Sequence, residues 1–288
     1  MRVLCVGVAT LDIVNVVPDY PPEDSEVRAL SQSQRLGGNA ANTAVVLAQL
    51  GAQVAWAGHL GCDADVADAT FDAAGVDLSQ AVRCSSASMP TSYVSLSATT
   101  GTRTIVHHRK LDEYPADAFA NIDLHAYDWL HFEGRAVDQL AEMLAHARAA
   151  CAVPISLEVE KPRPGIEALF RHPDWLFCSH DYAQAVGCAN AETFFKRLPN
   201  RLAATCTWGA AGAWAVDASG QLFHAPAPRL TSVVDTLGAG DVFNAGMVFR
   251  LGQGEAVATA LDDAVRLASA QCRVPGLTLT AETLSAWR

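Results

Sequence analysis

Val233-Val234-Asp235-Thr236-Leu237-Gly238-Ala239-Gly240-Asp241-Val242-Phe243-Asn244-Ala245-Gly246 decides how the rest of the chain is read. The pattern predicts a short strand, a glycine turn and then a helix that carries one carboxylate near its start. Gly238 and Gly240 let the backbone turn sharply, which aims the unpaired N–H groups of the first helical turn outward, and an anion is their natural partner. A carboxylate at the same spot repels a resting phosphate, so Asp241 makes chemical sense facing a hydroxyl that must lose a proton. The segment therefore reads as an anion hole beside a general base, the layout of a phosphoryl-transfer site. Asp241 equally suits an ordinary acidic helix cap, and the segment alone leaves both readings standing.

Two better-known glycine motifs are excluded. A Walker loop needs Gly-Lys-Ser/Thr, and the only lysines, Lys110, Lys161 and Lys196, do not follow a glycine. The dinucleotide fingerprint fails because Phe243 holds the third glycine position after Gly238 and Gly240.

Asp235 to Asp241, Asp-Thr-x-Gly-Ala-Gly-Asp, resembles the C-terminal signature of the ribokinase-like (PfkB) carbohydrate kinases. Arg35-Leu36-Gly37-Gly38-Asn39-Ala40-Ala41-Asn42, followed by Ala44 to Gly51, resembles that family's N-terminal Gly-Gly-Asn-x-x-Asn signature. Four further segments are similar to the ketohexokinase branch: Tyr20 to Arg28, Gly101 to Ile105, His131 to Arg135, and Leu157 to Arg163. The likeness runs from roughly Val3 to Gly276. It implies an α/β fold, a doubly wound and mostly parallel sheet with helices on both faces and a small antiparallel β lid. It also implies a single kinase domain over residues 1–288, its lid built from about 10–36 and 88–110.

A chain of 288 residues, half of them hydrophobic, is long enough to bury about three quarters of its unfolded surface in one large α/β domain. The net charge of −11 argues against nucleic acid or an anionic membrane as partner, since both demand basic patches. The eight cysteines show no close pairing and read as reduced, mostly buried thiols of a cytoplasmic protein. The chain opens directly on the strand Val3 to Val8 with no basic lead, so no signal peptide is expected, and no apolar run reaches the roughly 18 residues of a membrane span.

Glu26 to Leu36, Thr91 to Ala98 and Thr102 to His108 alternate as lid strands, the last two joined by a hairpin turn at Thr99-Thr100-Gly101. Residues from about Ala40 to Val82 carry helical periodicity. From Asp128 onward strands and helices alternate: Trp129 to Phe132, a helix on Val137, Leu140, Leu144 and Ala147, then Pro154 to Val159, Trp175 to Cys178 and Ala203 to Trp208. A hairpin from Ala213 to His224 and a long helix from about Glu255 to Cys272 complete the series.

By resemblance, Asp241 is the catalytic base, and the N–H groups of Gly238, Ala239 and Gly240 form the anion hole. Arg103 matches an arginine that reaches the transferring phosphate from the lid. Asp12, Asp24, Gly38, Asn39 and Asn42 match the sugar-contacting positions, with Glu133 a further candidate, because polyols are held by carboxylates and amides. Gly209 and Gly212, with Pro228, Ala268 and Cys272, match the surroundings of the nucleotide base. ATP and Mg²⁺ are the implied cofactors, with a monovalent cation such as K⁺ beside Asp235 and Thr236. The family's Asn-x-x-Glu metal motif is replaced here by Ser179-His180-Asp181-Tyr182-Ala183, so no metal ligand is named. His107, His108 and His131 read as structural or substrate-facing residues, and Glu158 and Glu160 as half of an ion-paired loop with Lys161 and Arg163.

The expected activity is an ATP-dependent kinase of a small free sugar, a ketohexose such as fructose first. A kinase of ribose, a keto-deoxygluconate or a nucleoside is the main alternative, and a sugar- or nucleotide-binding regulator without turnover is the other. The exposed edge of a β lid needs covering, and in the family two lids pair to form a homodimer.

Overall fold

The structure is a computed structural model and describes residues 1–287. Its first strand, β1 (Arg2–Val6), is buried beyond Arg2 and alternates between two cores. Val3 and Cys5 face one apolar cluster, Leu4 and Val6 the other. A strand covered on both sides reads as a continuous apolar run and takes parallel neighbours.

After β1 come β2 (Thr10–Val17), β3 (Ser31–Gly37), α1 (Asn39–Gln49), β4 (Gln53–Ala57), β5 (His59–Leu60), α2 (Asp65–Ala74), β6 (Val82–Arg83), β7 (Thr91–Ser97) and β8 (Arg103–His108). The chain continues through α3 (Ala116–Phe119), β9 (Trp129–Glu133), α4 (Val137–Ala150), β10 (Ile155–Val159), β11 (Trp175–Ser179), α5 (His180–Ala185), α6 (Ala191–Phe195) and β12 (Ala203–Thr207). It ends with β13 (Ala213–Val216), β14 (Leu222–Ala225), α7 (Ala239–Gly252), α8 (Val257–Gln271) and α9 (Ala281–Trp287).

Eight strands form one sheet in the order β14-β13-β12-β11-β10-β9-β1-β4. Pairings from β4 to β12 are parallel, and the β13–β14 hairpin is antiparallel. Helices α1, α7 and α8 pack with Val3 and Cys5, while α3 to α6 pack with Leu4 and Val6, so the sheet is doubly wound. Helix α7 is buried continuously from Asp241 to Phe249, as a helix apolar on every side must be. At Gly246 a β-carbon would come within 3.0 Å of Ala264 Cα, so α8 lies close enough to hold α7 rigidly.

A second sheet, ordered β3-β2-β7-β8, forms the lid. Its outer pairs are antiparallel and its central pair, β2 with β7, is parallel, because β2 and β7 arrive from the core on separate excursions. Tyr93 pairs with Val106 on one rung, and both are exposed, Val106 by 66%.

Several elements differ from the sequence expectation. No strand forms at Val233 and Val234. Both side chains are exposed, and only the Val234 N–H finds a backbone partner, the Cys272 carbonyl. The stretch 40–82 contains the sheet-edge strand β4 between its two helices. Residues 26–30 are irregular and, apart from the half-buried Ala29, exposed, so the lid strand starts at Ser31, while β2, built on Thr10 to Val17, supplies the strand between β3 and β7. Cys5, Cys178, Cys188 and Cys206 are buried, Cys62 is exposed and the others lie between; all are free. Among the described residues no helix is long and apolar enough to cross a membrane.

Candidate active site

The first helical turn of α7 faces the open end of the parallel sheet. Gly238 makes the turn at φ 80°, a left-handed conformation that costs other residues strain. Gly240 is already helical; a β-carbon there would touch nothing within 4 Å, so its role is to leave open space in front of the helix rather than to bend the chain. The N–H groups of Gly238, Gly240 and Asp241 find no acceptor among the described residues, whereas that of Ala239 makes a long 3.3 Å bond to the Thr236 carbonyl. Of the three N–H groups expected to form an anion hole, that of Ala239 is therefore engaged, while the N–H of Asp241 is free beside those of Gly238 and Gly240.

Asp241 is only 5% exposed, and its Oδ2 accepts a 2.7 Å bond from Asn42 Nδ2 on α1. Nothing donates to Oδ1 among the described residues, so that oxygen is free to receive a proton. Burial holds the Asp241 carboxyl well above the usual carboxylate range; the Asn42 bond pulls it back, and Glu160, Glu133 and Asp12 push it further up. A carboxyl raised in this way is a stronger proton acceptor once ionised.

Glu158 lies beside it, a carboxylate within a fully buried strand. Its Oε1 accepts 3.1 Å bonds from both Asn39 Nδ2 and Asn244 Nδ2, while Oε2 is buried with no partner. Burial, then the charges of Asp241, Glu133 and Glu160, raise this carboxyl too. The ion-paired loop expected at Glu158 to Arg163 is therefore confined to Glu160 and Lys161, 3.6 Å apart, and Arg163 instead donates to the Gly134 carbonyl.

Of the residues expected to contact a sugar, Asp12 sits within lid strand β2, buried and accepting from Thr10 Oγ1 at 2.8 Å. It shares a lid rung with Arg35, Ser92 and His107. Gly38 precedes α1 at φ 97°, and a β-carbon there would overlap the Val8 carbonyl, so only glycine brings Asn39 and Asn42 in under the lid. Two candidates stand apart. Asp24 is exposed in the irregular stretch before β3 and bonds to none of the others. Glu133 Oε2 accepts the Val8 and Ala40 N–H groups at 3.0 and 3.2 Å, and its Oε1 lies 3.7 Å from Arg135, so its carboxylate caps α1 instead of reaching outward.

Arg103, the first residue of β8, donates to Thr236 Oγ1 at 3.0 Å, which brings the lid to the turn before α7. Arg35, two residues before the end of β3, donates to Asp235 Oδ2 at 2.7 Å. Arg35, Glu158 and Asn244 are the site groups that motif reading passed over. A carboxylate inside an otherwise apolar strand was the available signal for Glu158. His131 is structural: it is buried, bonded to Ser156 Oγ at 2.8 Å, and burial lowers its pKa to about 3.

At the far end, Gly209 opens a tight turn and Gly212 closes it, where a β-carbon would overlap the Ala225 carbonyl. Ala268 and Cys272, at the C-terminal end of α8, lie across from β14, and Pro228 is exposed in the loop after it. Among the described residues no three His, Cys, Asp or Glu side chains gather to hold a metal. The Ser179 hydroxyl caps α5, and the exposed Asp181 pairs with His180 at 2.9 Å.

The description "pfkB family carbohydrate kinase" matches residues 1–284. The chain is 37% identical over 289 residues to ketohexokinase of Mus musculus, covering 96% of this chain and 97% of that protein. Among solved structures, ribokinase of Arabidopsis thaliana complexed with ribose and ATP gives a TM-score of 0.79 at 19% identity, covering 99% of this chain and 97% of the other. Nucleoside kinase of Burkholderia thailandensis in complex with inosine gives 0.80 at 17% identity, covering 99% and 96%. At those identities the two structures attest the fold.

Proposed function

The chain belongs to the pfkB family of carbohydrate kinases, and from that premise we propose that this sugar kinase phosphorylates a free ketohexose, fructose first, on its C1 hydroxyl. The observation that carries the reading is Asp241: a buried carboxylate, fixed by Asn42 through one oxygen, with its other oxygen free beside unpaired N–H groups. The choice of a ketohexose rests on the likeness to the mouse ketohexokinase.

In the proposed reaction the sugar lies between Asp12, Asn39 and Asn42. Its hydroxyl gives a proton to Asp241 Oδ1 as the oxygen attacks the γ-phosphorus of ATP and ADP departs. The free N–H groups of Gly238, Gly240 and Asp241 receive the charge on the transferring group, and Arg103 adds a cation from the lid. Gly209, Gly212, Ala268 and Cys272 would shape the wall behind the adenine.

Mg²⁺ neutralises the ATP phosphates when bound. Glu158 Oε2, buried and unpartnered, fits a water carried by such an ion, in keeping with a hard cation that retains most of its waters. A site crowded by Asp12, Glu133, Glu158, Glu160 and Asp241 in a chain of net charge −11 needs that cation to admit a polyphosphate.

ADP release with Mg-ATP is measured against fructose, tagatose, ribose, a keto-gluconate and inosine, with Asp241→Asn as control. Strong fructose turnover that falls at least about a hundredfold in the variant is expected. Preference for another acceptor overturns the ketohexose assignment, and turnover surviving in the variant overturns Asp241 as base. We further propose that the enzyme is cytoplasmic and dimerises through the lid, where Tyr93 and Val106 form an exposed apolar rung. Dimer mass in solution for the native chain and monomer mass for Val106→Glu are expected; a native monomer refutes it.

A further inference from the structure

The family resemblance implies a monovalent cation beside Asp235 and Thr236, and such an ion needs oxygens that are free to face it. Here those oxygens face N–H donors. Asp235 Oδ1 accepts from Leu237 N at 2.9 Å, and Oδ2 accepts from Gly276 N at 3.2 Å and Arg35 Nη1 at 2.7 Å. Thr236 Oγ1 accepts from Arg103, and the Thr236 carbonyl from Ala239 N. Across the loop, the Cys272 carbonyl accepts from Val234 N and Asp235 N, and the Gly276 carbonyl from Gln271 Nε2. Amide and guanidinium hydrogens repel a cation, and the Arg35 guanidinium already neutralises the Asp235 carboxylate, the one anionic ligand K⁺ would have here, so this carboxylate does not fit K⁺.

The Arg35–Asp235 pair is also well enclosed, its side chains 24% and 11% exposed. Arginine keeps its charge at any pH of interest and holds a carboxylate with fixed geometry, so the pair is a permanent cation on Asp235. Its origin is informative. In the lid, β3 and β8 are the two edge strands, and each sends one arginine to the loop: Arg35 to Asp235 and Arg103 to the next residue, Thr236. The lid thus straddles the turn that presents the anion hole.

We propose that Arg35 is a positioning residue that takes the place of a monovalent cation, fixing the Asp235–Gly238 turn and making turnover independent of K⁺. This rests on the sugar-kinase reading for its kinetic consequence and on geometry alone for its structural one. Two readouts therefore test it. In buffer whose only monovalent cation is tetramethylammonium, the native enzyme keeps kcat within about twofold when K⁺ replaces it at equal ionic strength. Arg35→Gln loses at least about tenfold in kcat there and regains part of it with K⁺, while Arg35→Lys keeps most of the native rate.

The second readout needs no substrate. The melting temperature of the native protein shows no K⁺-specific rise over tetramethylammonium, and that of Arg35→Gln does. A native enzyme activated severalfold by K⁺, a K⁺-specific stabilisation of the native protein, or an Arg35→Gln variant as active as the native one without K⁺ would overturn the proposal. Absence of phosphoryl transfer to every acceptor would sink the kinase reading instead, and leave the melting experiment to decide this one.

Discussion

Asn42→Leu isolates what one hydrogen bond does for the base. Leucine has the branched outline of asparagine with bulkier methyl ends, so the change keeps water out while removing the Nδ2 that donates 2.7 Å to Asp241 Oδ2. Both residues are almost wholly buried, Asn42 by 94%. A hydrogen bond to a charged group in such surroundings contributes about 1.5–3 kcal/mol, which is about a tenfold to hundredfold change in the equilibrium between ionised and protonated carboxyl. Because the bond favours the charged form, its loss leaves more of Asp241 protonated. The defect must therefore depend on pH. Toward acid pH, where the carboxyl is protonated in a larger share of the variant, kcat/KM falls by about tenfold to hundredfold; toward alkaline pH, as the carboxyl ionises in both proteins, the two rates draw together. The assay is initial rate of ADP release across that range, with the melting temperature as a check that folding is intact. Relief of the buried, unpartnered Asn42 Oδ1 offsets part of the stability lost when Asp241 Oδ2 loses its donor. A defect of the same size at every pH would refute the reasoning and assign Asn42 to sugar binding alone.

Asp241→Asn should stabilise the fold while abolishing turnover. The carboxyl is raised by burial, so between the usual carboxylate range and its raised native value the folded state holds more protons than the unfolded one. Stability of the native protein therefore falls as pH rises through that window, and the neutral amide escapes the loss. A melting temperature at least about 2 °C above native at pH 8, with the gap closing toward pH 4, is expected; no gap at pH 8 counts against the raised carboxyl. Arg103→Ala should lower kcat by at least about tenfold and raise the sugar KM by no more than about threefold, because the side chain bonds to Thr236 in the turn before Asp241. Unchanged kinetics would make Arg103 a solvated strand residue.

The parallel sheet is legible in the sequence because its strands are apolar runs with helical periods between them, as β9, α4 and β10 show. Local pattern misleads where tertiary pairing decides. Val233 and Val234 have the β-branched look of a strand, yet no strand lies beside them, and β4 hides among alanines between two helices. In the site, Asp241 and Asn42 can be picked from their motifs, but their contact spans 199 positions of sequence, and the Arg35–Asp235 pair spans 200. Spacing carries no information at that range. Glu133 illustrates the opposite error: its type and place suit a sugar ligand, and only the two backbone donors aimed at Oε2 reveal that the fold has already used it.

The order of the large sheet has a consequence for how the chain is made. Strand β9 joins β1, and β10, β11, β12, β13 and β14 each lie beside their predecessor in sequence, so every strand of this sheet made after β4 adds at one advancing edge. Growth in one direction keeps pairing local and avoids threading. Helix α7 then breaks the sequence by returning to pack against α1, among the earliest elements made. Until that return, a nascent chain has Asp12, Asn39 and Asn42 in place but neither Asp241 nor the glycine turn before it, so the candidate site closes only when synthesis is almost complete.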